Sequence, residues 1–332
     1  MEPLSPDFDD DVIERIDTAP FRGANFCGLP PEFSSFENSR FVVVPVPFEE
    51  TTSFRRGAAG APAEIISASA QVELLDVEAG AQPFRAGIHT CADFMNLPLT
   101  LDDVRGPLTG KLAEIFSLGK TPVVIGGEHT VSIAPVAAAC AAFEDLTLVH
   151  LDAHADLRNE YEGNRFSHAC ALRRAMELSP PPSRLIMVGV RSMCPEEIRF
   201  VRDSAGVTLR LARDVRSGAA RLDRIAADAG GGSVYITIDM DVFDPSEVPA
   251  VGTPEPGGLG WGQVCGLLAG IVAGADVVGF DVVELAPAPH AVRSQFLAAK
   301  LIYRLMGLIW KKRRNDRLEA CPTERSGDYL PI

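Results

Sequence analysis

Two carboxylates and one imidazole stand at every second position of the stretch HLDAHADLRN, and together they could bind a metal ion. Asp152, His154 and Asp156 follow the apolar run LTLV, which is typical of a buried strand. In an extended chain, side chains two residues apart point to the same face, so the three groups converge on one small volume. The stretch therefore predicts that a cation balances the two negative charges.

Residues of the same types end three other apolar runs. VVIGGEHT carries His129, YITIDMDVFDP carries Asp239 and Asp241, and FDVVELAP carries Glu284. The carboxyl ends of parallel strands lie on one side of a sheet, where ligands bind near a reversal of strand order. We therefore expect these residues to meet those of DAHAD in one crevice.

Four aspartates and two histidines packed in such a crevice would carry unpaired buried charges, each costing several kcal/mol. Two divalent ions would remove this cost. Carboxylate-rich sets with one imidazole per ion suit a hard six-coordinate metal, which favours Mn²⁺ over Zn²⁺, Co²⁺ or Fe²⁺. A carboxylate that bridges two ions about 3.5–4 Å apart also holds a water molecule and lowers its pKa towards neutrality.

Each fragment taken alone has a purely structural explanation. His129 after two glycines is typical of a turn residue or helix cap, and DAHAD could be a strand end with capping carboxylates. DMDVFDP could be an Asp-rich turn, in which Asp244 only precedes Pro245. The metal interpretation depends on the conjunction, because three separate segments supply complementary ligands at strand ends.

A parallel sheet is needed to position these side chains, and the sequence predicts one. Short β-branched runs alternate with Ala- and Leu-rich stretches of helical length. This alternation indicates an α/β fold with a mostly parallel sheet covered on both faces. The predicted strands span residues 40–48, 121–127, 146–153, 184–192, 233–241 and 277–285.

Composition narrows the class of protein. The chain has 332 residues, and its net charge of −14 argues against nucleic-acid partners but would attract small cations. It has no apolar run of membrane-spanning length, and its acidic N-terminus lacks the features of a signal peptide. Seven cysteines without CxxC spacing indicate reduced thiols. We therefore expect a soluble cytoplasmic protein without membrane or nucleic-acid partners.

The two ends differ from the middle. Residues 1–38 are acidic and Pro-rich and are predicted to form an N-terminal extension, residues 39–310 a single catalytic domain, and residues 311–332 a polar C-terminal tail. The basic run KKRR follows the apolar, helix-like run FLAAKLIYRLMGLIW. We expect these cations to complement the C-terminal dipole of that helix.

The motifs GGEHT, DAHAD, FSHACALRRA, TIDMDVFDP, GTPEPGG and DVVELAP resemble, in this order, those of the ureohydrolase family, which includes arginases and agmatinases. The resemblance covers roughly residues 40–310. It implies a three-layer α/β/α fold around an eight-stranded, mostly parallel sheet. It also implies two Mn²⁺ per chain, hydrolysis of a small cationic guanidino substrate to urea, and a homo-oligomer, either a trimer or a hexamer.

The same resemblance implies ligands for two ions that share two aspartates. The ligands of the first ion are His129, Asp152, Asp156 and Asp239. The ligands of the second ion are Asp152, His154, Asp239 and Asp241.

Three residues take catalytic roles by the same resemblance. Glu284 is expected to hold the substrate guanidinium. Asp156 is expected to accept a hydrogen bond from the attacking hydroxide and to guide its proton towards the leaving amine. His168, in FSHAC, is expected to relay protons between the site and solvent near neutral pH.

The absence of one segment favours a particular substrate. After DAHAD, the chain lacks the Ser- and Asn-rich insertion with which arginases bind the amino-acid head of arginine. This favours agmatine, which would give putrescine and urea. Guanidinobutyrate or an N-substituted agmatine is the alternative within the same chemistry, and a catalytically silent, polyamine-binding protein is the alternative outside it.

Some residues depart from the family pattern or have no assigned role. Glu128 replaces an aspartate of many members and is predicted to alter the orientation of His129. The residues around His290 and Gln295 differ from the agmatinase pattern. In that pattern they contact the end of the substrate that lies away from the guanidino group, so these contacts are expected to differ here. We expect His150 to support the site or pack in the core, and His290 to lie in a surface loop. His89 receives no role.

Overall fold

The computed structural model describes residues 24–95 and 99–320, and its centre is a single eight-stranded sheet. The strands are β1 (Phe41–Val46), β2 (Ile88–Thr90), β3 (Thr121–Gly126), β4 (Thr147–Leu151), β5 (Arg184–Val190), β6 (Val207–Leu211), β7 (Ser233–Asp239) and β8 (Asp276–Val283). Their order across the sheet is β2-β1-β3-β8-β7-β4-β5-β6.

The strand predictions are confirmed at the centre of the sheet. Five of the six predicted runs contain one strand each, and the sixth, 277–285, overlaps β8, which begins one residue earlier at Asp276. Every strand pair is parallel, so the sheet is wholly rather than mostly parallel. The two strands that were not predicted, β2 and β6, are the edge strands. β2 has only three residues and β6 is only half-buried, so neither carries a continuous apolar run.

Helices cover both faces of the sheet. The helices are α1 (Pro31–Ser34), α2 (Ala61–Ser69), α3 (Leu101–Asp103), α4 (Thr109–Ser117), α5 (Ile133–Ala142), α6 (Ala171–Met176), α7 (Pro195–Asp203), α8 (Ala212–Arg216), α9 (Leu222–Ala229), α10 (Trp261–Gly274) and α11 (Val292–Ala320). A π-helical segment, Val104–Leu108, joins α3 to α4. Short 3₁₀ turns that matter for the site are His129–Ser132, His168–Cys170 and Met240–Val242.

Two hydrophobic cores, one on each face, hold the three layers together. Val43 faces the core that contains α2, α9, α10 and α11, whereas its neighbours Val42 and Val44 face the core that contains α4, α5 and α6. This alternation follows from the two-residue period of a strand. The α/β/α fold predicted from the sequence is therefore confirmed.

The predicted N-terminal extension contributes to this domain from residue 24 onwards. The Phe26 side chain is fully buried, its backbone N–H donates to Thr90 Oγ1, and the Cys27 N–H donates to Ser69 Oγ. Residues 1–23 lie outside the described part of the chain. The boundary at residue 38 stays a prediction.

The expectation for the KKRR run is wrong. The run lies inside α11, which continues to Ala320. Lys311 Nζ donates to Ala79 O, and Lys312 Nζ donates to Ala275 O, the residue that follows α10. Lys312 therefore complements the C-terminal end of a neighbouring helix rather than its own, because long side chains reach the carbonyl groups of adjacent segments.

The six described cysteines are free thiols, as expected, and Cys321 lies outside the described residues. Over residues 24–95 and 99–320, no helix has the length and apolar character needed to cross a bilayer.

A buried ion pair ties α11 to the loop after α2. Arg304 Nε and Nη2 donate to Asp76 Oδ2 and Oδ1, both at 3.0 Å. Asp76 is fully buried and also accepts from the N–H groups of Glu78 and Ala79. Burial acts to raise the pKa of Asp76, but the bonds from Arg304 and Ala79 lower it below its usual value.

Arg304→Gln should lower the free energy of unfolding by about 2–4 kcal/mol, because the buried Asp76 carboxylate loses the two hydrogen bonds of the guanidinium and keeps only Lys300, whose Nζ lies 3.6 Å from Asp76 Oδ2, as a cation. Urea denaturation measures the change. The control Arg202→Gln removes an exposed pair with Asp203 and should leave the free energy of unfolding close to that of the parent. The contribution of Asp76 is complete above the carboxyl pKa of the unfolded chain and is lost as the pH falls through the lowered folded-state pKa. The free energies of unfolding of the parent and of Arg304→Gln should therefore approach each other in acid. A difference between them that is equal at all pH values would contradict this account.

Candidate metal centre

The order of the sheet brings four polar strand ends side by side. Strands β3, β8, β7 and β4 are consecutive neighbours at its centre. Their C-terminal ends lead into His129, Glu284, Asp239 and the DAHAD segment, respectively. This is where the strand order reverses, and the position agrees with the rule for ligand sites in open parallel sheets.

A close backbone approach joins the ends of β3 and β8. The Glu284 N–H donates to Gly127 O at 2.7 Å. A Cβ atom at Gly127 would lie 2.0 Å from Phe48 O, so only glycine allows the chain to pass here. The approach lets the His129 N–H donate to Glu284 Oε1 at 2.7 Å, which links two of the predicted site residues.

His129 Nδ1 faces three carboxylates. It lies 3.1 Å from Asp152 Oδ2, 3.1 Å from Asp156 Oδ2 and 3.3 Å from Asp239 Oδ2. All four side chains are buried. The atom nevertheless has no hydrogen-bond partner of acceptable geometry among the described residues. One proton could not serve three oxygens at once, whereas one metal ion can bind all four atoms.

The other nitrogen of His129 explains why Nδ1 is available. Nε2 lies 2.9 Å from Thr237 Oγ1, and Thr237 Oγ1 donates to Asp281 Oδ1 at 2.6 Å. Ser132 Oγ donates to the same oxygen at 2.9 Å. Because Thr237 Oγ1 donates its own proton to Asp281, it accepts the proton of His129 Nε2–H. The lone pair of the His129 ring is then on Nδ1. Metal-binding histidines are commonly fixed in this way.

A second cluster shares Asp152 with the first. Asp152 Oδ1 lies 3.5 Å from His154 Nδ1, which is 2.9 Å from Asp241 Oδ2. The side-chain ligand atoms of these three residues all lie within 4.8 Å of one another. The two oxygens of Asp152 therefore face different imidazoles, which is the arrangement that a bridging carboxylate requires.

The electrostatics of the cluster favour added positive charge. Burial disfavours the imidazolium form of His129, but the carboxylates of Asp152, Asp156 and Asp239 outweigh this effect and raise the pKa well above its ordinary value. Burial, with repulsion from Asp241 and Asp152, also raises the pKa of Asp239 well above its ordinary value. Uncompensated negative charge thus dominates the cluster, and such a site attracts cations. The residues present therefore fit a metal centre.

Two of the predicted catalytic residues have a left-handed backbone. Asp156 has φ of 51° and Glu284 has φ of 62°, values that non-glycine residues seldom adopt. Each such residue costs on the order of 1–3 kcal/mol and persists where the surrounding structure enforces it. Here the conformation turns both carboxylates into the same crevice.

The Glu128 carboxylate accepts from the N–H groups of Glu50 and Thr51, at 2.7 and 2.6 Å. Thr51 Oγ1 in turn accepts from the His168 N–H at 2.8 Å. The longer acid therefore fastens the loop that holds His168, while Thr237 orients His129. An effect of Glu128 on the orientation of His129 stays a prediction.

A cavity of about 210 Å³ opens onto the cluster. Its lining contains His154, Asp156, His168, Asp239 and Glu284. The ring of His168 is half-buried, and its Nε2 lies 3.4 Å from Ser53 Oγ. Tyr161 and Thr253, which the sequence did not single out, also line this cavity.

The remaining histidines lie at different distances from the cluster. His150 is fully buried, and its Nε2 lies 2.7 Å from Asp152 Oδ2, close enough to His129, Asp152 and Asp156 to be a fourth possible ligand; its supporting role stays a prediction. His89 Nδ1 lies 2.9 Å from Ser34 O, away from the cluster. His290 is exposed, as expected, and Gln295 lines a groove beside Trp261 rather than the catalytic cavity.

Comparison with known proteins agrees with this geometry. The sequence matches the model of the arginase family over residues 39–307. A curated N(1)-aminopropylagmatine ureohydrolase from Synechocystis sp. is 36% identical over 291 residues, covering 86% of this chain and 94% of that protein. An agmatinase from Pyrococcus horikoshii is 32% identical over 274 residues, covering 82% and 93%.

The chain belongs to the arginase family. The crystal structure of an agmatine ureohydrolase from Thermoplasma volcanium has the same fold, with a TM-score of 0.77 and 30% identity over 89% of this chain and 97% of that one. The family resemblance deduced from the motifs is therefore confirmed, and the chain is an enzyme of the agmatinase-like ureohydrolase type.

For this arginase-family protein, we expect about two Mn²⁺ per chain after manganese loading, one for each cluster. Asp152→Ala should lose both ions because Asp152 faces both imidazoles, whereas His129→Asn should weaken mainly one. Elemental analysis measures the content, and circular dichroism checks the fold. Asp223→Asn, which removes an exposed carboxylate paired with Arg221, is the control and should keep both ions. Full metal content in Asp152→Ala would show that the ligand assignment is wrong.

Proposed function

We propose that this enzyme hydrolyses the guanidino group of a linear amine of the agmatine class, releasing urea and a primary amine. The observation that carries the proposal is the position of Glu284. Its carboxylate lies on the wall of the cavity that opens onto the cation-attracting cluster. A substrate held there would present its guanidinium carbon to the metal centre.

Glu284 has the environment of a substrate ligand rather than of a structural ion pair. The arginines that could have paired with it are engaged elsewhere: Arg173 binds Glu177, and Arg191 donates to the carbonyl groups of Asp241 and Glu255. Within the described residues, no Lys or Arg lies within ion-pair distance of Glu284. A planar guanidinium is the cation that best matches a carboxylate, since it donates two parallel hydrogen bonds.

The two clusters are proposed to hold two Mn²⁺, the first through His129, Asp152, Asp156 and Asp239, and the second through Asp152, His154, Asp239 and Asp241. The hard oxygen-rich donor set supports this choice of metal. When bound, such an ion pair lowers the pKa of water and stabilises negative charge that develops on the substrate.

The protein's own groups would position and move protons. Asp156 borders the cavity and can accept a proton from the attacking water and deliver it to the leaving nitrogen, as the carbon–nitrogen bond to the amine breaks. His168 lies on the outer wall of the same cavity, beside Ser53 and Thr51, and is placed to exchange protons with solvent.

Two substrates of this class are candidates. Agmatine agrees with the missing arginine-binding insertion after DAHAD. N1-aminopropylagmatine is favoured by the higher identity to the Synechocystis relative, 36% against 32% for the agmatinase of Pyrococcus horikoshii. Both carry the same guanidino group, so the reaction at Glu284 is common to them.

Urea release from the manganese-loaded enzyme tests the proposal and ranks the substrates. Agmatine and N1-aminopropylagmatine should have much higher kcat/KM than arginine or guanidinobutyrate, because Asp156, Glu197, Asp239 and Glu284 outnumber Arg158 in the lining and would repel a substrate carboxylate. Release from arginine at a comparable kcat/KM would contradict the substrate class. No release from any of the four, with two metals bound, would favour the silent polyamine-binding alternative.

Glu284→Gln should lower kcat/KM for the best substrate at least a hundredfold, about 2.7 kcal/mol of transition-state stabilisation. The amide oxygen of glutamine can still accept from the His129 N–H, so melting temperature and manganese content should stay near those of the parent. Glu114→Gln, an exposed position paired with Lys111, is the control and should keep the parent kcat/KM. A Glu284→Gln variant that unfolds, or one that keeps the parent rate, would show that Glu284 does not hold the guanidinium.

A further inference from the structure

A groove lies between α2, the start of α10 and the first turns of α11. Its volume is about 680 Å³. The apolar residues of its lining are Ala68, Trp261, Val292, Phe296 and Leu297. Among the described residues, it shares none of its lining with the cavity at the metal centre. The proposed reaction therefore does not use this groove.

Two large apolar side chains of the groove are exposed. The exposed fraction is 70% for Val292 and 43% for Phe296, which lie four residues apart on one side of α11. On the other side of this helix, Leu301, Ile302 and Leu305 are fully buried in the core. An exposed apolar surface beside a complete core usually marks a place that another segment or molecule covers.

The α11 side of the groove is basic. Arg293 is exposed, and no carboxylate of the described residues lies within ion-pair distance of it. Lys300 Nζ lies 3.6 Å from Asp76 Oδ2, an oxygen that Arg304 also binds. Glu64, on the α2 side, is the acid of the lining. An occupant that is both apolar and acidic would fit the α11 side.

The described part of the chain begins beside one end of this groove. The Cys27 N–H donates to Ser69 Oγ at 2.7 Å, and Ser69 lies between the lining residues Ala68 and Gln71. Lys300 is near the Cys27 thiol, because its charge opposes the rise in pKa that burial causes there. Residues 24–27 span at most about 10 Å, so the preceding chain starts within reach of the groove.

The sequence of residues 1–23, MEPLSPDFDDDVIERIDTAPFRG, combines the two properties that the groove requires. It contains seven acidic and two basic side chains, an excess of five negative charges. Phe8, Val12 and Ile16 recur among the acids at four-residue intervals. The groove extends roughly 12 Å along α11, from Lys300 to Val292, so 23 residues are long enough to fill it.

We propose that residues 1–23 dock in this groove of their own chain. The apolar side chains of the segment cover Val292 and Phe296, and its acidic side chains lie near Arg293 and Lys300. A segment that is joined to the protein beside the groove has a high effective concentration there. Docking within one chain is therefore favoured over capture of a second molecule.

Disulfide formation in the double variant Ile16→Cys/Val292→Cys tests the proposal. Mild oxidation of the manganese-loaded, full-length protein should join the two cysteines within one chain. Mass spectrometry identifies the linked peptides, and a denaturing gel without reductant shows whether one chain or two are joined. The control is Ile16→Cys/Leu118→Cys, because Leu118 is also exposed but follows α4, on the other face of the sheet. Its yield should be at least about tenfold lower.

Phe296→Asp places a carboxylate in the groove opposite the acidic segment and should lower the yield of the Ile16–Val292 disulfide at least about tenfold. The helix should survive because Phe296 is partly exposed, and circular dichroism checks this. Ile198→Asp makes the same change at another exposed apolar position, on α7, and should leave the yield unchanged.

Fluorescence of Trp261 gives a second measurement that needs no engineered cysteine. In a Trp310→Phe background Trp261 is the remaining tryptophan, and removal of residues 1–23 should shift its emission to longer wavelength. A disulfide that joins two chains would show that a second copy fills the groove. Equal linkage to both partner positions, or unchanged Trp261 emission after the removal, would show that the segment does not dock there. Each of these results would overturn the proposal.

Discussion

The concentration of negative charge around His129 Nδ1 is the constraint on which the rest of the site depends. Three buried carboxylates each have an oxygen within 3.3 Å of this one nitrogen. Carboxylates gathered around one atom would repel one another strongly without a cation. The fold accepts this cost only because four neighbouring strands end at the same point. Bound cations would remove this repulsion.

The surrounding structure holds this centre in place through polar side chains that are themselves buried. Thr237, Ser132 and Asp281 form one such group behind His129, and Glu128 forms another that fastens the loop beneath His168. Each of these groups fixes an orientation rather than supplying a metal ligand. The sheet therefore brings the site residues together, and the hydrogen bonds of these supporting side chains fix their orientation.

The C-terminal and N-terminal ends of the parallel strands carry opposite charge. Acidic residues gather at the C-terminal ends of the central strands, where a cationic substrate would enter, whereas arginines and a lysine gather at the N-terminal ends. Strands β3 and β8 reach both regions. The same parallel arrangement that assembles the metal centre thus also leaves a separate basic cavity behind it.

The sequence by itself determined the central strands and the shared face of Asp152, His154 and Asp156, because the two-residue spacing of DAHAD and the apolar bodies of the strands are local patterns. His129, Asp239 and Asp241 were added to this face from the order of the motifs, and the sheet brings them to it. Tertiary structure decided which residues that are distant in the sequence contact each other. Thr237 meets His129 across 108 residues, and KKRR lies within a helix whose cations bind other segments. The edge strands β2 and β6 were missed for the same reason, since they lack a continuous apolar run and are strands only because a neighbour offers them hydrogen bonds.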